Sequence, residues 1–346
     1  MPKWLKKVIG AGFLFGVVIV GSLVYFWKTP YKNFSEKEKF VMIPRGASSL
    51  DISHQLEKEG IVRHWALFLS YVKVWTNSRS LQAGEYRFEK PLNISQVAEL
   101  LIRGLVYYHE VTIPEGYSLF DIADLLAQKK LASPESFQEA AGDLRVIADL
   151  APDARNLEGF LFPDTYRFTR GMSAEDMVRQ MVNRFRQIYS NHFQMEVKNS
   201  SMSLYQVITL ASLIEKETGV EEERPLISSV FQNRLRLHIP LQCDPTILYA
   251  ARLGGSLRHE ILQADLETPS PYNTYFHPGL PPGPIASPGL SSIEAALKPA
   301  SSEYLYFVSN SQGGHVFSST LEQHSRAVAV YRRAARKAAQ RRQGRS

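Results

Sequence analysis

Two glutamates close an otherwise apolar stretch, Ile208–Thr218 (ITLASLIEKET). Apolar residues at 207, 208, 210, 211 and 214 share one helix face, which runs into Glu215, with Glu217 slightly off it. A carboxylate at the end of an apolar stripe loses solvation. Desolvation disfavours the charged form, which is how a glutamate becomes a general acid near neutral pH. Helix phase alone does not separate Glu215 from Glu217, and a solvated helix end carrying Lys216 and Glu217 as surface charges fits the same letters.

Other chemistry-bearing positions lie further along. In Leu241–Tyr249 (LQCDPTILY), Asp244-Pro245 is a helix-start signature with Asp244 as N-cap and Pro245 in the first helical position. Asp265–Tyr275 (DLETPSPYNTY) supplies Tyr272, Asn273 and Tyr275, rings and an amide of the kind that stack on and hydrogen-bond to sugars, or that pack a proline-rich loop. His277 and His315 have no partner at metal spacing. The single cysteine, Cys243, excludes an intrachain disulfide and clustered-thiolate sites, and reads as a small buried hydrophobe. With no G-x-G-x-x-G, Walker A or G-x-S-x-G run, nucleotide-driven and α/β-hydrolase chemistry drop out.

The elements that position these residues begin with a repeat. Val41–Leu56 (VMIPRGASSLDISHQL) and Val111–Leu126 (VTIPEGYSLFDIADLL) share V-x-I-P-x-G-x-S-x-x-D-I-x-x-x-L, 70 residues apart. Each copy predicts a strand ending at Ile43 or Ile113, a Pro-x-Gly turn, and a helix capped by Ser48 or Ser118. The apolar residues of that helix are Leu50, Ile52 and Leu56, or Phe120, Ile122 and Leu126. A helix at His64–Trp75, a strand at Ala83–Phe88 and a helix near Ile94–Arg103 complete a β-α-α-β module whose unit resembles the LysM fold. Beyond Asn156 the expected elements are helices at Met172–His192, Val207–Thr218 and Leu226–Leu237. An irregular loop follows at Gly279–Gly289, with four prolines, and then a hairpin of Tyr304–Ser309 with Gly313–Phe317.

Val8–Trp27 is a run of 20 uncharged, mostly apolar residues, roughly 30 Å as a helix and so about one hydrocarbon core. Lys3, Lys6 and Lys7 favour an inside N-terminus, and Tyr25 and Trp27 supply aromatics for the far interface. No small-x-small cleavage site follows, which favours an uncleaved anchor over a signal peptide. The expected divisions are a cytoplasmic end (1–7), a spanning helix (8–27), a linker (28–40), a LysM-like subdomain (41–105), a catalytic domain (106–325) and a basic tail (326–346). The chain has 346 residues and net charge +6, but the body from Thr29 to Ser325 holds 28 Lys and Arg against 34 Asp and Glu. The basicity is terminal, so a nucleic-acid partner is the weakest reading.

Taken together and in order, the anchor, the repeats, AGEYRF, LEGFLFPDTYRF, ASLIEKET, VFQNRL, LQCDPTILY, DLETPSPYNTY, GLPPGPIASPG and YLYFVS…GGHVFS resemble the endolytic murein transglycosylase, or YceG-like, family, over about residues 41–325. The resemblance implies an α+β fold with a LysM-like subdomain. It implies a bacterial enzyme in the cytoplasmic membrane, with its catalytic domain outside, that cuts peptidoglycan strands between N-acetylmuramic acid and N-acetylglucosamine. It implies no cofactor and no metal, with wall synthases such as penicillin-binding proteins as natural partners. By position, the family's essential glutamate is Glu215. Glu217, Gln242, Asp244, Thr246, Tyr272, Asn273 and Tyr275 match other family positions, with substrate positioning or support of the carboxylate as their implied roles. Cys243 departs from the family pattern, which commonly has Thr, and a thiol beside the site predicts sensitivity to alkylation.

In the implied reaction one carboxylate does what hydrolytic glycosidases divide between two. Protonated Glu215 donates to the glycosidic oxygen, and the carboxylate then takes the proton of the muramyl C6 hydroxyl as that oxygen attacks C1, leaving a 1,6-anhydro end. A hydrolytic muramidase would need a second carboxylate, with Asp244 the candidate, and a non-catalytic glycan-binding scaffold would rest on the repeat module and the anchor.

Overall fold

The computed structural model describes residues 2–75, 81–256, 260–310 and 312–343, which divide into two units. Unit 1 comprises residues 1–110 and 167–172, unit 2 residues 111–166 and 173–346. Residues 76–80 of the expected subdomain, the last three residues of the expected tail, and the side chains of Lys6 and Lys7 lie outside the described residues.

Unit 1 opens with α1 (Lys3–Lys28), an apolar helix long enough to cross a membrane, whose most apolar stretch is wholly exposed. Residues 28–40 do not hang free. Tyr31 exchanges backbone hydrogen bonds with Leu92, and Asn33 N–H donates to Gly60 O at 2.9 Å. Next come β1 (Lys39–Ile43), α2 (Ser49–Lys58), α3 (Trp65–Trp75), β2 (Gly84–Phe88) and α4 (Ile94–Ile102), in the β-α-α-β order expected. β1 and β2 pair antiparallel with Val41 opposite Tyr86. Alternation then turns Val41, Ile43, Tyr86 and Phe88 into a core with Ile52, Leu56, Phe68, Val97 and Leu101. Ser48 closes a capping box with Asp51 at the start of α2, as its spacing predicts. Leu50 does not join the apolar face. It sits in the first turn, 44% exposed, while Ile52 and Leu56 carry the packing.

Unit 2 holds the second repeat. β3 (His109–Thr112) pairs with β4 (Thr165–Phe168), and the division between the units passes through both strands. α5 (Leu119–Gln128) is capped by Ser118 through a capping box with Asp121. Then follow α6 (Pro134–Ala140), β4 (Thr165–Phe168), α7 (Ala174–Ile188), α8 (Gln194–Asn199), α9 (Leu204–Glu217), α10 (Arg224–Arg236), α11 (Asp244–Leu253), α12 (Gln263–Leu266) and α13 (Leu290–Leu297). The hairpin β5 (Tyr306–Ser309) and β6 (His315–Ser318) and the basic helix α14 (Leu321–Gln343) complete it. The architecture is mixed α+β, with α9 at its centre and α10, α11 and α13 packed against it.

Candidate active site

From Val207 to Ile214 α9 is buried on every side, rather than along the single stripe its spacing suggests. Its polar residues make this possible. Thr209 Oγ1 donates to Tyr205 O (2.7 Å) and Ser212 Oγ to Thr209 O (2.7 Å), so neither hydroxyl enters the core unpaired. Ser212 Oγ also accepts the Ile285 N–H at 3.1 Å, tying the proline-rich loop to the helix. Gly159, at φ +83°, lets a second loop approach. A Cβ there would meet Ile208 and Pro284 at 2.7 Å.

Glu215 is where this buried helix reaches the surface, and its side chain is only 6% exposed. Its Oε2 accepts the Gly289 N–H at 3.0 Å, and its Oε1 accepts from Arg224 Nη2 at 3.2 Å. Arg224, in the first turn of α10, also lies 3.7 Å from Glu115 Oε2. Glu115 comes from the Pro-Glu-Gly turn of the second repeat. That turn is docked by Gly116 N–H to Ser287 O (2.9 Å), Ser287 N–H to Tyr117 O (2.7 Å) and Lys216 Nζ to Gly116 O (3.1 Å). A side chain at 289 would displace the Glu115 carboxylate, since its Cβ would sit 2.0 Å from Glu115 Oε1. Burial, and next the Glu215 charge, push the Glu115 carboxyl up, with Arg224 pulling the other way.

Glu217 faces a different set of groups. Burial, opposed by the Cys243 thiol that donates to it, pushes its carboxyl up to about 7, with the Asp244 charge adding to the rise. Asp244 is not the N-cap its Asp-Pro signature predicts. Cys243 occupies that position, and Asp244, already helical, accepts a short hydrogen bond from Tyr275 Oη. Cys243 is 1% exposed and its thiol is raised well above its ordinary range by burial, so the expected sensitivity to alkylation is withdrawn: the sulfur is neither reachable nor ionised. Gln242 is exposed at φ +51°, its backbone held by Gln242 N–H to Thr274 O at 3.0 Å. Beneath it, Arg234 donates to the carbonyls of Pro240, Leu241 and Leu305.

Thr246 and Asn273 are buried and their polar atoms are engaged inside the protein. Thr246 Oγ1 donates to Cys243 O (2.7 Å). Asn273 Nδ2 reaches Leu266 O (3.0 Å) and Thr268 O (2.9 Å), and its Oδ1 accepts from Tyr275 N–H (3.0 Å). They hold the loop that presents Tyr272 and Tyr275, both half-buried.

Tyr272 packs against Tyr249 (ring centroids 5.0 Å), whose hydroxyl donates to Glu158 at 3.0 Å. Glu158 is 1% exposed and also accepts the Leu119 N–H at the start of α5. Burial pushes its carboxyl up to about 8 from 4.5. The folded state therefore holds a proton that the unfolded chain releases, so stability falls as pH rises from about 4.5 to about 8 and is level above that. Glu158→Gln keeps the shape without that proton. It is expected to flatten most of the decline and to be more stable than the parent at pH 8, by about 4 kcal/mol as an upper figure. Glu217 and Glu115, whose carboxyls are also raised, contribute to the residual slope. Melting temperatures across pH 5–8 check this, and identical slopes in parent and variant would refute it.

Of the residues expected from sequence, Glu215 lies on one side of the end of α9 and Glu217 with Cys243, Asp244 and Tyr275 on the other, whereas Tyr272 sits with Tyr249, its hydroxyl near that of Tyr205 in the first turn of α9. Sequence reading passed over Glu115 and Arg224. A signal for Glu115 existed, because the two repeats differ at that very position, Arg45 in the first and Glu115 in the second. Nothing in the local sequence marked Arg224.

These elements define a mixed α+β protein with an apolar N-terminal helix and, at the end of its central helix, a nearly buried glutamate held by a backbone N–H and an arginine. Residues 41–330 match the YceG-like family, and the chain belongs to it. An endolytic murein transglycosylase of Bacillus subtilis (strain 168) is 35% identical over 340 residues, covering 94% of this chain and 91% of that protein. One of Streptococcus pneumoniae serotype 2 (strain D39) is 32% identical over 354 residues, covering 94% of this chain and 63% of that one. The 2.6 Å crystal structure of a yceG-like protein of Listeria monocytogenes aligns with TM-score 0.57 and 36% identity, over 84% of this chain and 99% of that one.

Proposed function

We propose that this chain is an endolytic transglycosylase of peptidoglycan, cutting between N-acetylmuramic acid and N-acetylglucosamine within glycan strands and leaving 1,6-anhydro ends. The names of its relatives support this, and the observation that carries it is the setting of Glu215. One carboxylate, nearly buried, is aimed by a backbone N–H and a guanidinium at the point where a core helix meets solvent. A fixed carboxyl there can protonate the glycosidic oxygen and, once ionised, accept the proton of the C6 hydroxyl. The attack on C1 is intramolecular and gains from high effective molarity. Tyr272, Tyr275 and Gln242 are assigned to the sugar-binding surface, Glu217 and Asp244 to its support, and Thr246 and Asn273 to holding its loop.

Unit 1 is read as LysM-like on its β-α-α-β order. α1 is read as a single cytoplasmic-membrane span with its N-terminus inside, on the strength of Lys3, Lys6 and Lys7. The active unit then lies outside, near wall synthases. Hydrolysis by a paired carboxylate is not favoured: Asp244 is bonded to Tyr275, and the carboxylate beside Glu215 is Glu115, tied to the same arginine. Mass spectrometry of glycan ends released from purified peptidoglycan tests the proposal, since the two reactions differ by one water. Anhydro ends are expected, and reducing muramic ends would overturn it.

A further inference from the structure

Trp27 is expected, as the last residue of the uncharged run, at the outer lipid boundary. The structure gives it a second role. It is 9% exposed and belongs to the core of unit 1, its Nε1–H shared between Leu67 O (3.1 Å) and Ser70 Oγ (3.3 Å) of α3. Its ring meets Tyr71 and Trp75 edge-on, at centroid distances of 5.5 and 6.5 Å. The far end of α3 is therefore at the level where α1 leaves the membrane. No loop or hinge separates the two, because the residue ending the apolar run is itself packed on α3. At that level Val74 and Trp75 are each 63% exposed, beside exposed Lys73. Tyr25 and Phe26 on α1 are open as well, at 66% and 38%.

We propose that the last turn of α3, Lys73–Trp75, is a second membrane contact, seated in the headgroup and upper acyl region of the bilayer that α1 spans. The inference rests on α1 being a membrane span. The occupant follows from continuity. Whatever surrounds Tyr25 and Phe26 at the end of α1 also meets Trp75, one ring away, and around a spanning helix that is lipid. Trp and Tyr prefer this zone, where an apolar ring can be buried while its polar edge stays wet. Lys73 and Lys28 can reach headgroup phosphates with their stems laid along the apolar surface. One consequence is that the anchor and unit 1 move as one body, so unit 1 keeps a fixed face toward the membrane.

The test uses the full chain in vesicles of phosphatidylethanolamine and phosphatidylglycerol. An environment-sensitive fluorophore is attached at Val74→Cys, and in a separate protein at Met195→Cys, an equally exposed position (63%) in unit 2. Cys243 is buried and stays unlabelled under native conditions. The probe at 74 is expected to be blue-shifted and quenched several-fold more than the probe at 195 by lipids spin-labelled near the headgroup. Identical water-like spectra at both positions, in protein that still sediments with the vesicles after alkaline washing, would overturn this contact and leave the span intact. Protein that washes off would overturn both. A blue shift at 74 without lipid quenching, accompanied by energy transfer between copies, would overturn the contact in favour of self-association.

Discussion

Glu215→Gln is expected to slow the release of anhydro ends from peptidoglycan by about 10²–10⁴-fold, the usual worth of a positioned proton donor. The amide cannot deliver a proton to the leaving oxygen or take one from the C6 hydroxyl, so both halves of the reaction lose their agent. Binding and folding should survive. Two groups donate to the carboxylate, Gly289 N–H and Arg224 Nη2, and Gln retains one oxygen for them. One donor therefore loses its acceptor and the buried guanidinium loses its nearer counter-charge, at about 2–3 kcal/mol, with Glu115 still beside the arginine. Rate, glycan retention on the immobilised protein and melting temperature, measured together, separate these effects. A variant that cleaves at the parental rate would remove Glu215 from the chemistry, whereas one that no longer melts cooperatively would say only that the substitution unfolds the site.

Arg224→Met should be the most damaging change away from the glutamate itself. The guanidinium is 10% exposed and stands between Glu215 and Glu115, so its removal leaves two carboxylates near each other without the cation between them. Breaking a buried pair by removing one partner costs about 3–5 kcal/mol. The lower end applies here, because Glu115 is half exposed and can be screened. The rate should fall by about 10²-fold as Glu215 loses one of the two contacts that aim it. Arg224→Lys keeps the charge without the planar fork and should fall between. Adding Glu115→Gln to Arg224→Met removes one of the stranded charges, so the double variant should regain about 1 kcal/mol over the sum of the singles. Thermal denaturation and initial rates of the parent, Arg224→Met, Arg224→Lys, Glu115→Gln and the double variant check this. Strict additivity would mean that Arg224 and Glu115 do not interact.

Several elements are legible because their signals are local. Ser48 and Ser118 with an acid three residues on form capping boxes, and the two strand–turn–helix starts fall at or next to their expected positions. Asp244 fails as a cap for a nonlocal reason. Tyr275, 31 residues away, offers its carboxylate a better partner than its own helix terminus does. The face assigned to 207, 208, 210, 211 and 214 understates α9, because burial of Thr209 and Ser212 depends on neighbours that sequence spacing does not reveal. Cys243 is the buried small side chain that its type predicts. Its proximity to the site suggested reactivity that only its actual exposure removes.

By itself, the sequence determined what depends on order and short range: an apolar run long enough for a membrane, two matching caps, the acidic body, and a family pattern that singles out the first glutamate of Glu-Lys-Glu-Thr. Only the tertiary structure decided which groups surround that glutamate. Gly289, Arg224 and Glu115 stand 74, 9 and 100 residues from it, and no periodicity links them. They meet because α9 is buried on every side from Val207 to Ile214, so the segments that reach its last turn are ones that pack over the same core, and they bring Gly289 and Arg224, the donors that hold Glu215, with Glu115 beside the arginine.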